Sequence, residues 1–211
     1  MVQELLKGFR KFREEEYEGA KASMPRLARE GQSPSYFIIS CIDSRTNPGT
    51  IFRPAPGTFF ASKAMGAIVL PYQQGSALSA ALKFVIEYNK IHELIILGHT
   101  DCGAIKSLIS GIDDEDISRF LNIAQTGLTR AREKCATCSS ENLQRRTEEE
   151  IVLQSIENLK TYPSVAKALE EKRIRLRPWI FDMENGELFE YCENAKEFKP
   201  ITHNEKHEEE Q

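Results

Sequence analysis

Three side chains able to do chemistry alternate in the stretch SCIDSRTNP: the thiol of Cys41, the carboxylate of Asp43 and the guanidinium of Arg45. A second group stands in GHTDCGA, where His99 and Cys102 are three residues apart. Imidazole and thiolate are preferred protein ligands of zinc. Two such ligands make a weak pair; Cys41 as a third makes a Cys2His set with one coordination position open. Structural zinc sites are usually closed by four protein ligands, whereas three ligands and a water is the catalytic pattern. A water at such a position gives up its proton far more readily than bulk water, becoming a strong nucleophile. Asp43 lies two residues beyond Cys41, on the same side of an extended stretch, where it can accept a hydrogen bond from that nucleophile. Arg45, two further on, can pair with Asp43, keeping it ionised and off the open position.

These groups need elements to carry them. Apolar or aromatic residues at Leu5, Leu6, Phe9, Phe12 and Tyr17, with charges between, predict a helix within residues 2–30. SYFIIS (35–40) and GTFFAS (57–62) are short bounded apolar runs and read as strands. Residues 75–90 read as a helix, and HELIILGHTDCGAIKSLISG (92–111) as strand, sharp turn and helix. Helical patterns follow over 116–135 and 147–172, and RPWIFDMENGELFEYC (177–192) reads as two strands around a hairpin turn. Strands alternating with helices predict an α/β fold with a mainly parallel sheet. Ligands of such sheets bind at the carboxyl ends of the strands. Cys41 ends the first strand, and His99 with Cys102 ends the third, so the two motifs are expected to meet at one sheet edge.

A length of 211 residues suits one domain with appendages, and the formal net charge of −4 argues against nucleic acid as the main partner. No apolar stretch is long enough for a membrane span, and the first residues lack a signal peptide's apolar core. Five cysteines, an odd and irregular set, fit a reducing compartment, so a cytoplasmic protein is expected. No dinucleotide or nucleoside triphosphate loop follows any strand.

Cys-x-Asp-x-Arg followed about 55 residues later by His-x-x-Cys resembles the β-class carbonic anhydrases. PGTFF, AIVLPY, IEYNK, IILGHTDCGAIKSL and NLKTYPSVAKAL follow in that family's order, and the likeness covers roughly residues 30–192. The resemblance implies a mainly parallel sheet of four strands plus an antiparallel fifth, flanked by helices. It implies an N-terminal helical arm over 1–30 and a zinc-containing catalytic domain over 31–198; the polar, charged end HNEKHEEEQ reads as a disordered tail, taken as 199–211. The implied activity is reversible hydration of carbon dioxide to bicarbonate and a proton through zinc-bound hydroxide. Carried over by position, Cys41, His99 and Cys102 hold one zinc ion per chain, and Asp43 and Arg45 form the catalytic dyad. Gln32 is similar to the family's substrate-pocket glutamine, and Phe60, Met65 and Tyr88 fall at pocket-wall positions. In the family that pocket lies between two subunits that exchange N-terminal helices, so a homodimer or a dimer of dimers is implied.

The sequence departs from the family at Lys63 and Ala64, where Arg-Asn is usual. Lys63 keeps the charge without the planar fork, and Ala64 has no amide. A family subset controlled by bicarbonate carries Trp where this chain has Ile38, so that switch is not expected. A hydrolase of carbonyl sulfide or carbon disulfide could use the same zinc. A non-catalytic zinc-bearing scaffold or bicarbonate-binding module is the alternative that Lys63 and Ala64 keep open. A thiol-nucleophile enzyme comes last, since Cys41 and Cys102 have a better use as ligands. Asp101 is read as serving the first helical turn after it. His92, His203 and His207 are read as solvated, Cys135 and Cys138 in CATC as inert thiols, and EEEIVLQSIENL as a solvated acidic face.

Overall fold

The computed structural model describes residues 2–19 and 22–202. Six strands form one sheet in the order β2-β1-β3-β4-β5-β6. They are β1 (Tyr36–Cys41), β2 (Phe59–Ala64), β3 (Glu93–His99), β4 (Arg175–Asp182), β5 (Glu187–Cys192) and β6 (Glu197–Pro200). The first four run parallel, and β5 and β6 pair antiparallel. The expected α/β class holds, with a sixth strand added. That strand was hidden because EFKP carries a single large apolar side chain, Phe198, which packs on Tyr191 of β5 with ring centroids 5.4 Å apart. Residues 199 and 200 therefore belong to the sheet rather than to a tail. Residues 203–211, with His203 and His207, lie outside the described residues.

Nine α-helices surround the sheet among the described residues: α1 (Gln3–Arg13), α2 (Met24–Glu30), α3 (Pro48–Phe52), α4 (Ala77–Lys83), α5 (Gly103–Ser110), α6 (Glu115–Leu121), α7 (Gln125–Lys134), α8 (Ser140–Leu159) and α9 (Pro163–Glu170). The expected N-terminal helix is two: a wider turn extends α1 to Glu18, and Gly19 leaves the helix in an extended conformation. The central strands β1 and β3 are buried on both faces, as parallel strands under helices are. Phe37, Ile39, Leu94 and Ile96 face a core with Leu82, Ile86, Leu159 and Val165 from helices of one layer. Ile38, Ile95 and Leu97 face the other way, against Ile51, Phe52 and Trp179.

Helix α8 lies so close to β3 that one position must be glycine. A Cβ on Gly98 would stand 2.4 Å from Val152 Cγ2. Gly98→Ala should overpack this crossing and destabilise the protein by about 1–3 kcal/mol. A thermal melt reads this as a Tm several degrees lower; an unchanged Tm would show that α8 can shift without cost.

The acidic entry to α8 is not a solvated face. Glu148 and Glu150 are buried, as are Thr147, Gln154 and Ser155. Lys134 of α7 reaches Glu150 at 2.6 Å, and the Gln154 side chain accepts from the Gly127 amide at 2.7 Å. Partners on α7 thus let α8 bury polar side chains that its sequence alone would place in water. Cys135 and Cys138 form a disulfide across the turn after α7, their Cα atoms 5.2 Å apart, within bonding range for a disulfide. The free thiols expected there are a correction; Cys41, Cys102 and Cys192 are the free cysteines.

Candidate active site

Cys41 is the last residue of β1 and His99 the last of the neighbouring β3. Cys102 is the N-cap of α5, and its thiol is not spent on capping that helix. Between the two later residues the chain turns through Asp101 in the left-handed region, at φ 58°. The result brings all three donors together. One ligand atom from each of Cys41, His99 and Cys102 lies within 4.8 Å of the others, and all three residues are buried. The sulfurs of Cys41 and Cys102 are 4.0 Å apart.

The residues fit a metal ion by their hydrogen bonding as well as their positions. His99 Nδ1 lies 2.8 Å from the carbonyl of Thr100, which can only accept, so Nδ1 carries the proton. That leaves Nε2 as the lone-pair nitrogen, and it is buried with no hydrogen-bond partner. An orphaned, oriented imidazole nitrogen beside two free thiols is the arrangement a zinc ion completes. The facing thiol of Cys102 is the largest influence lowering the Cys41 pKa, helped by His99 and by the Asp43 amide, which donates to Cys41 Sγ at 3.4 Å. Cys102 is raised by the Cys41 thiolate and by burial. These opposite shifts describe one shared proton: the pair gives up its first easily and holds the second.

Asp43 stands beside the cluster but is held by Arg45. Arg45 Nε donates to Asp43 Oδ1 at 3.1 Å and Nη2 to Oδ2 at 2.8 Å, while the Arg45 amide caps Oδ1 at 2.9 Å. The Arg45 fork holds the Asp43 carboxyl well below the usual carboxylate range, despite the opposing effect of burial. Asp101, given only a helix-capping role from sequence, belongs to this network instead. Its Oδ2 is 3.4 Å from Arg45 Nη1, and its other oxygen binds Lys106. The left-handed turn swings its carboxylate towards Arg45, 56 residues away, which no local pattern announces. Glu148 also escaped the sequence reading: its Oε1 accepts the Cys102 amide at 2.9 Å. Burial raises its pKa, against the pull of that amide and of Gln144.

The four expected pocket residues do not gather in the single chain. Met65 packs on the apolar cluster that includes Cys41 and Cys102. Phe60 packs instead on the main core. Gln32 is exposed, and Tyr88 is 73% exposed, stacked on Phe84 at 6.0 Å. A cavity of about 560 Å³ is lined by Arg45, Thr100, Asp101, Arg145, Glu148 and Asp182, and none of the four lines it. Lys63 is exposed and donates to the backbone carbonyl of Asp43 at 3.4 Å, while Ala64 pairs with Cys41 in the sheet.

Residues 36–188 match the family model described as carbonic anhydrase. Carbonic anhydrase 1 of Escherichia coli O157:H7 is 29% identical, the match covering 96% of this chain and 94% of that protein. The solved structure of the β-carbonic anhydrase CcaA is 26% identical and superposes with a TM-score of 0.87, covering 95% of this chain and 99% of that one. One of two tetrameric β-carbonic anhydrases from Sordaria macrospora has the same fold, with a TM-score of 0.81 at 22% identity, covering 90% of this chain and 95% of that one. With the family match spanning most of the chain and the Cys41, His99 and Cys102 cluster at its sheet edge, the chain belongs to the β-class carbonic anhydrase family.

Proposed function

We propose that the chain hydrates carbon dioxide reversibly to bicarbonate and a proton at a zinc ion held by Cys41, His99 and Cys102, with Asp43 and Arg45 as its catalytic pair. The observation that carries this is the convergence of those three donors with His99 Nε2 left unpaired. A zinc ion held by these residues would supply Lewis-acid chemistry, lowering the pKa of a bound water.

The chain's own residues do the rest. Asp43 accepts the hydrogen bond of the attacking water and turns its lone pair towards the carbon. Arg45 keeps the Asp43 carboxylate from swinging onto the metal; the two side-chain contacts and the amide cap support this role. Asp101 steadies Arg45 from the other side. The proton released leaves to solvent or buffer.

Gln32, Phe60, Met65 and Tyr88 are the proposed substrate-pocket residues, with Met65 beside the ligands in its own chain. We assign Tyr88, exposed in its own chain, to a pocket completed by a second copy. No residue of α1 is buried, although Leu5, Leu6, Phe9 and Phe12 share its apolar side. We assign residues 1–30 as an arm laid on a partner subunit, giving a homodimer or a dimer of dimers. The Sordaria macrospora relatives are described as tetrameric. We assign the domain proper to 31–200, ending with β6. No described helix is long and apolar enough to cross a membrane. We assign the protein to the cytoplasm on its free thiols: Cys41 and Cys102 remain unpaired with their sulfurs 4.0 Å apart, against the single Cys135–Cys138 disulfide.

Zinc analysis with stopped-flow carbon dioxide hydration tests the function. The expected result is about one zinc per chain and measurable hydration. Zinc without hydration would overturn the catalytic assignment and leave a zinc-bearing scaffold.

A further inference from the structure

We propose that Glu148 is a positioning residue for the metal site, holding the Cys102 end of the three-donor cluster through its buried carboxylate. The inference rests on reading Cys41, His99 and Cys102 as the ligands.

The segment from His99 to Gly103 has to carry two ligands around a tight left-handed turn. One side of the turn is pinned to the sheet. The Thr100 amide donates to the Phe181 carbonyl at 3.0 Å, and Thr100 Oγ1 accepts from the Met183 amide at 2.9 Å. The other side is pinned by Glu148. Its Oε1 accepts the Cys102 amide at 2.9 Å, and Gln144, one turn earlier on α8, donates Nε2 to the same oxygen at 2.9 Å. Glu148 is only 4% exposed. A carboxylate so buried is costly unless its hydrogen bonds are made, and here one of them goes to the backbone of a ligand.

The direction of that bond matters for the sulfur. Cys102 opens α5, and its thiol makes no cap to the helix. With its amide tied to α8, the residue's backbone is fixed and the thiol is left to point at Cys41 and His99. Partners of this kind orient ligands, and their loss typically weakens metal binding about 10–100-fold. Glu148 is not one of the three donors; its role runs through the Cys102 amide.

Two variants of similar side-chain volume test this, Glu148→Met and Glu148→Gln. Zinc affinity is read by competition with a chromophoric chelator, ligand geometry by the absorption of the cobalt(II) protein, and folding by melts of the metal-free forms. Glu148→Met, which cannot accept the amide, should lose about 10–100-fold in zinc affinity and shift the thiolate-to-cobalt band. Glu148→Gln, whose amide oxygen can accept it, should stay within about threefold of wild type with the band in place. Unchanged affinity and spectrum in Glu148→Met would overturn the proposal. So would a Gln variant as weak as Met, or metal-free forms of both variants that fail to fold, which would assign Glu148 to the fold alone. Wild type that takes up no zinc would instead strike down the three-donor site itself.

Discussion

Asp43→Ala is expected to keep about one zinc per chain and to lose roughly 10²–10⁴-fold in carbon dioxide hydration, the usual range for removing a positioned proton-handling group. Zinc should stay because the three-donor cluster does not include Asp43, whose carboxylate is occupied by Arg45. Hydration should fall because the other described carboxylates named at the cavity are engaged: Asp101 by Arg45 and Lys106, Glu148 by the Cys102 amide, and Asp182 by the Glu184 amide and Asn185. The Arg45 fork keeps the Asp43 carboxyl ionised well into acid, so Asp43 is available as an acceptor throughout the neutral range. Arg45→Ala belongs to the same experiment and should also retain zinc while losing hydration. Metal content and stopped-flow rates on both variants decide it. Hydration surviving in Asp43→Ala would remove the dyad from the mechanism, and loss of zinc would make Asp43 part of the metal site.

The metal cluster was legible because its parts follow rules that act locally. Each ligand motif directly follows an apolar run, each run becomes a central parallel strand, and adjacent parallel strands end at the same edge. Asp43 and Arg45 were legible from being two and four residues from a ligand, although the exit from β1 tightens into a single helical turn over Ser44–Thr46, capped by Asp43, instead of staying extended. What stayed hidden depends on tertiary partners. The run of glutamates at 148–150 has the composition of a solvated face, and only the covering of α8 by neighbouring elements turns two of them inward. Asp101 reaches Arg45 through a left-handed turn that an aspartate can adopt but does not announce. The strand β6 has too little apolar content to be seen without β5 beside it. Lys63 was legible as a departure, yet its contact is with the Asp43 carbonyl rather than with any side chain of the site.

The residues least explained by one chain are those that a second copy would use, and they carry the other large expected effect. Leu5, Leu6, Phe9 and Phe12 recur at helical spacing along α1, and all four are exposed. Burying each fully on a partner would contribute about 1.5–3 kcal/mol. The double variant Leu5→Asp with Phe9→Asp removes two of them per chain, about 3–6 kcal/mol, and places two charges in the contact. Both chains of a dimer lose them, about 6–12 kcal/mol in all, so at about 1.4 kcal/mol per tenfold self-association should weaken by roughly 10⁴-fold or more. Sedimentation over a dilution series reads the change as a smaller species at concentrations where wild type stays assembled. Because Tyr88 is proposed to reach a pocket only across subunits, hydration per chain should fall as the variant dissociates, while zinc stays bound by ligands that all come from one chain. A variant that keeps the wild-type mass would remove α1 from the contact. One that dissociates with undiminished hydration would show that the pocket is complete within a single chain and that Tyr88 has no part in it.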